Sequence, residues 1–120
     1  MGYIAGIGGA NMDIHGRSDR QLIMRDSNPG SLHTSLGGVC RNICDNLARL
    51  GVPVTFASAV GGDAFGQMLL SGCRAAGMDT SCILVREGAR SGSYISIMDD
   101  ANDMLVGMSD MDVLGAMSPE

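Results

Sequence analysis

The chain contains no lysine: all 8 of its basic side chains are arginine, set against 13 Asp and Glu, for a formal net charge of −5. A P-loop built on Gly-Lys-Ser/Thr is thereby excluded. Without a basic surface, neither nucleic acid nor an anionic membrane is an expected partner. No apolar run approaches the roughly 20 residues of a membrane-spanning helix. The N-terminus lacks the basic region of a secretory leader, and its apolar stretch Tyr3 to Ala10 is broken by Gly6, Gly8 and Gly9 before Asn11 and Asp13 follow. MGYIAG also carries Gly6 where a myristoylation signal needs Ser or Thr. A cytoplasmic location is the expectation. The four cysteines, Cys40, Cys44, Cys73 and Cys82, include no CxxC pair and no clustered histidine joins them. That pattern favours free thiols in a reducing compartment over disulfides or a metal centre. The sequence has no internal repeat and no low-complexity tract.

What is present is a globular composition, 45% apolar and 18% charged over 120 residues, enough for one domain or part of one. The chain is organised around Gly37 to Gly51, GGVCRNICDNLARLG. Two glycines allow a tight turn and a close backbone approach, and Val39, Cys40, Ile43, Cys44, Leu47 and Leu50 then recur at three- and four-residue steps as one apolar stripe. Asn42, Asn46 and Arg49 form the polar side. Gly51 ends the helix at its C′ position and Pro53 prevents its resumption. A glycine turn feeding a helix leaves free N–H groups facing outward, which suits oxygen-rich ligands.

Around this helix the sequence predicts a buried central strand over Tyr3 to Gly9, a polar excursion over residues 16–30 with a turn at Asn28-Pro29-Gly30, and a short strand from Ser31 to Leu36. Val52 to Val60 reads as a second buried strand. Asp63 then caps a helix to about Ala76, with Phe65, Met68, Leu69, Cys73 and Ala76 facing inward and Gly77 closing it. Cys82 to Val85 is a third short strand. Ser91 to Met98 and Met104 to Met108 form a hairpin across Asp99 to Asp103, a solvated turn without the glycine and terminal Glu of a calcium loop. Strand–helix–strand–helix order implies parallel strands and a layered α/β fold.

GGVCRN followed by a small-residue helix and Leu-Gly resembles the N-terminal signature of the PfkB, ribokinase-like carbohydrate kinases, and VGGDAFG resembles that family's VGxDxxG segment. DSNPG at Asp26 to Gly30, GGVCRN and MLVGMSDMDV at Met104 to Val113 resemble the pseudouridine kinases within it. Many sugar kinases of the family have Lys where Val39 stands, whereas Arg41 matches the GVxRN form of the pseudouridine kinases. The resemblance implies an α/β, ribokinase-like fold, here residues 1–120 as the N-terminal part of a kinase domain: a parallel sheet with flanking helices, plus a small β-sheet lid from segments near 12–36 and 91–108. It further implies that Asn11, Asp13, Gly37, Gly38 and Asn42 contact sugar hydroxyls, with Asn11 and Asp13 at the end of the first strand. A carboxylate there can accept two hydroxyl protons. ATP and Mg2+ serve the full-length family through a Gly-Ala-Gly-Asp type turn absent from these residues, so neither is expected to bind this chain tightly. The expected ligand is a sugar or nucleoside such as pseudouridine. Self-association through the lid or an open sheet edge is a further expectation, and a non-catalytic ligand-binding or lid-dimerising module is the alternative.

Overall fold

A computed structural model describes residues 2–119. In chain order the elements are β1 (Ile4–Ile7), β2 (Asn11–Ser18), β3 (Gly30–Gly37), α1 (Val39–Arg49), β4 (Val54–Gly61), α2 (Ala64–Ala76), β5 (Ile83–Arg86), β6 (Gly92–Met98) and β7 (Met104–Asp110), followed by a 3-10 turn at Asp112–Ala116. They form two sheets. The first is parallel, in the order β1-β4-β5, and the second runs β3-β2-β6-β7. Within the second, β2 lies antiparallel to β3 and parallel to β6, and β6 and β7 form the hairpin across Asp99 to Asp103.

The parallel sheet and the two helices enclose the core, in which Phe56 and Val60 of β4 meet Cys44 of α1 and Leu69, Leu70 and Cys73 of α2. β4 is the central strand because both its edges are paired. β1, expected to be buried and central, pairs only with β4 among the described residues, and Ile4 and Ile7 are exposed.

Both helices end where glycine allows a left-handed residue: Gly51 has φ +85° and Gly77 φ +96°. The inward faces differ from the sequence expectation. On α1, Val39, Ile43 and Leu50 are exposed, and the packed side is Cys40, Cys44, Leu47 and Ala48 together with Arg41. The apolar stripe is wider than the contact made by α2 and the sheet, and an i,i+4 partner, Asp45, lets an arginine take one of the buried positions. On α2, Gly66 and Leu70 are buried while Met68 is exposed, because Gly66 packs against the Gly61 carbonyl and rotates the helix toward that side.

Asp63 holds α2 to β6. Its Oδ1 accepts from Gly66 N at 2.8 Å and from Ser91 Oγ at 2.6 Å, and its Oδ2 accepts from Ser91 N at 2.9 Å. Burial pushes this carboxyl up, but the hydrogen bonds from Ser91 and Gly66 outweigh it and hold it below its ordinary value of 3.8. The stability it contributes is therefore fully present above that pH and is lost as pH falls through the lower folded value. Asp63→Ala is expected to cost about 2 kcal/mol, since it removes a helix cap and strands the buried Ser91 donors. Urea denaturation at pH 7 checks this, and the gap between variant and native protein should close below pH 3.8.

Candidate functional site

Strand register brings the first candidate residues together. Asn11 lies opposite Gly37 and Asp13 opposite Ser35, so the Asn11 and Asp13 side chains share one face of the second sheet, beside the end of β3. Asn11 Nδ2 donates to Asp13 Oδ1 at 2.5 Å, which aims the carboxylate along the strand. The Asp13 carboxylate lies so close over the Gly37 α-carbon that a Cβ there would overlap it. Asn11 and Asp13 thus open a separate eight-residue strand, β2, and do not end the first strand, β1, which stops at Ile7, and the excursion expected from residue 16 begins only after Ser18.

Gly38 turns the chain from β3 into α1 with φ +103° and ψ 127°, a conformation open to glycine, and any Cβ would run into the Gly9 carbonyl. The first intrahelical bond is Asn42 N to Gly38 O at 2.9 Å, and no side chain caps the helix. The preceding N–H groups of Val39, Cys40 and Arg41 therefore lack intrahelical partners. Asn42 stands exposed on this first turn. Its side chain bonds to Arg41 rather than to the other four candidates: Arg41 Nη2 donates to Asn42 Oδ1 at 2.8 Å.

Beneath the turn, Cys40, Cys44 and Cys73 pack into the core. Burial, reinforced by neighbouring Cys40, pushes the Cys44 thiol up to about 11. Burial likewise raises Cys73, with the Arg41 guanidinium pulling the other way. Neither is a thiolate nucleophile at neutral pH. Further along the polar face of the second sheet, His15 lies opposite His33 and its Nδ1 is 2.5 Å from Ser96 Oγ. His33 is exposed, as a surface or lid residue would be, whereas the His15–Ser96 contact and the burial of Arg41 escaped sequence reasoning. Only a polar period of two in Asn11, Asp13 and His15 could have marked the former.

Two concavities among the described residues lie elsewhere. One of about 430 Å³ is formed by β2, β3 and the loop between them, around Arg17, Leu22, Asn28 and Leu32. Another of about 370 Å³ lies at Arg86, Arg90, Asp110 and Asp112. Asn11, Asp13, Gly37, Gly38 and Asn42 line neither. Among the described residues no group of three or more His, Cys, Asp or Glu side chains is placed to hold a metal ion, and no helix is long and apolar enough to cross a membrane.

A parallel α/β sheet with two helices and a second small sheet meeting at a glycine turn is the architecture of the ribokinase-like kinases. The profile of the pfkB family carbohydrate kinases matches residues 1–114, and the chain belongs to that family. It is 41% identical over 118 residues to the pseudouridine kinase of Escherichia coli, covering 98% of this chain and 38% of that protein. Over 109 residues it is 33% identical to a guanosine-inosine kinase of Exiguobacterium acetylicum, covering 91% of this chain and 36% of that one. Among solved structures, a carbohydrate kinase from Agrobacterium tumefaciens superposes with a TM-score of 0.87 at 31% identity, over 94% of this chain and 36% of its own. The chain therefore spans less than two fifths of the length of these relatives.

Proposed function

We propose that this chain forms the substrate-side portion of an ATP-dependent kinase that phosphorylates the ribosyl 5′-hydroxyl of a nucleoside, pseudouridine foremost. The observation that carries this reading is the contact of Asp13 with Asn11 and Gly37: a carboxylate oriented by an amide and seated over a glycine, beside a helix start with free N–H groups. Asp13 accepts protons from two neighbouring sugar hydroxyls, Asn11 keeps the carboxylate turned toward them, and Asn42 donates to a hydroxyl oxygen. Gly37 and Gly38 let the backbone come within reach of the sugar. In this reading β2, β3, β6 and β7 are the lid, whose polar face closes over the sugar and excludes water. When bound, ATP with Mg2+ supplies the phosphoryl group, held by parts of a kinase outside these residues. The identity to two nucleoside kinases supports a nucleoside over a free hexose, and the GGVCRN form supports pseudouridine.

A second reading, a non-catalytic module that self-associates, is favoured by the other face of the lid, where Leu32, Ile95, Val106 and Met108 are exposed. One experiment separates the two. Purified alone, the 120-residue chain is expected to transfer no phosphate from ATP to pseudouridine, ribose or fructose 6-phosphate in a coupled ADP assay, and the same chain expressed together with the remaining part of a pseudouridine kinase should restore turnover. Turnover by the chain alone contradicts the substrate-side reading. Self-association in light scattering, with no restoration, favours the module.

A further inference from the structure

Arg41 is the buried cation among the described residues, and it stands beside the candidate site. Its side chain is 7% exposed although it stands on the first turn of α1, next to Asn42. Nη2 donates to Asn42 Oδ1 at 2.8 Å and to Asp45 Oδ2 at 3.1 Å, and Arg49 Nε completes the Asp45 carboxylate from the other side. Arg41 Nε finds no partner among the described residues. A helix surface pair with Asp45 would need no such burial, and the buried position leaves one donor unsatisfied, so helix stability alone is a poor account of this arginine.

We infer that Arg41 is a positioning residue that locks the Asn42 carboxamide with its oxygen turned inward and its two N–H donors presented to the ligand. A guanidinium has donors only, so the Asn42 atom facing it must be the oxygen. The outward atom is then Nδ2, which can only donate. Asn42 accordingly reads the lone pair of a ligand hydroxyl, while Asp13 can read only its proton. The two groups distinguish a hydroxyl from a keto oxygen or an ether, neither of which brings a proton to Asp13.

The size of the effect follows from counting states. Freed from Arg41, an exposed asparagine samples about three χ1 wells and two amide orientations, unequally populated, so that roughly a fifth of the population is productive and the nucleoside KM should rise about fivefold. Chemistry at the 5′-hydroxyl is untouched once the ligand is seated, and kcat should stay within about twofold.

This inference rests on the reading of Asn42 as a ligand contact, and a double-mutant cycle in the complete kinase carrying these residues keeps the two apart. Arg41→Met and Asn42→Ala are measured singly and together, with KM for pseudouridine and kcat read separately. Arg41→Lys is run alongside, alone and combined with Asn42→Ala. It retains the charge beside Asp45 but not the planar fork, so it should fold normally and still raise KM about fivefold. The expected result is that neither Arg41 variant changes KM once Asn42 is alanine. If the fivefold rise persists in the Asn42→Ala background, Arg41 acts through the fold and the inference is overturned. If Asn42→Ala by itself leaves KM unchanged, the reading of Asn42 fails first and the inference falls with it.

Discussion

Gly38→Val in the complete kinase carrying these residues is expected to lower kcat/KM for pseudouridine by more than about a hundredfold and to depress the melting temperature as well. Two causes add. The backbone at Gly38, φ +103°, is one that a β-branched residue resists, at a cost of about 1–3 kcal/mol. A Cβ there also overlaps the Gly9 carbonyl and crowds the Ala10 α-carbon, both of them backbone atoms that cannot swing aside. Relief requires the start of α1 to move, which carries Asn42 and the free N–H groups away from the sugar. Gly37→Ala supplies the contrast. The atoms nearest its Cβ belong to the Asp13 carboxylate, a side chain that can rotate, and Gly37 has no positive φ. That variant should melt near the parent temperature while losing roughly tenfold in kcat/KM, through displacement of one carboxylate contact. Thermal melts and steady-state kinetics on both variants check the pair. A Gly38→Val enzyme with parental activity would show that the turn tolerates a side chain and that the close approach is not needed.

Much of the fold was legible because its punctuation is chemical. Gly51 and Gly77 sit at the two positive-φ helix ends, Asp63 is the cap it resembles, and Asp99 to Asp103 joins β6 to β7. In that loop the Asp99 carboxylate accepts from Ala101 N and Asp103 N, which is turn chemistry. β2 was hidden for the reason that makes it useful. Asn11, Asp13 and His15 put polar groups on the face where an apolar alternation would have announced a strand, and Gly16 interrupts the other face. The rotation of α1 was hidden too. Val39, Ile43 and Leu50 satisfy helical spacing as well as Cys40, Cys44 and Leu47 do, and only the packing of α2 and the parallel sheet decides which set is covered. The five site residues were named from a family resemblance. Their juxtaposition depends on pairing Asn11 with Gly37 across an eleven-residue loop, and no local pattern fixes that register.

The second large effect concerns Asp13. Its carboxylate is oriented by Asn11 Nδ2 and seated over Gly37, with no cation hydrogen-bonded to it among the described residues, so its acceptor capacity is left for a ligand. A carboxylate accepting from hydroxyls contributes about 1.5–3 kcal/mol, which corresponds to a loss of roughly ten- to a hundredfold on truncation. Asp13→Asn, which keeps the shape but can accept at one atom only, should lose less. Neither change should alter the KM for ATP, because the phosphoryl donor is held outside these residues in this account. A 2′- or 3′-deoxy analogue of the nucleoside should be as poor for the parent enzyme as the natural substrate is for the variant, and should lose little more when Asp13 is removed, since the missing hydroxyl and the missing acceptor belong to one interaction. The most direct measurement is kcat/KM for pseudouridine in the complete kinase with Asp13→Ala. A ten- to hundredfold fall with the ATP KM unchanged is the expected result, and a value equal to that of the parent enzyme would show that Asp13 is only a strand residue and that the sugar is held elsewhere.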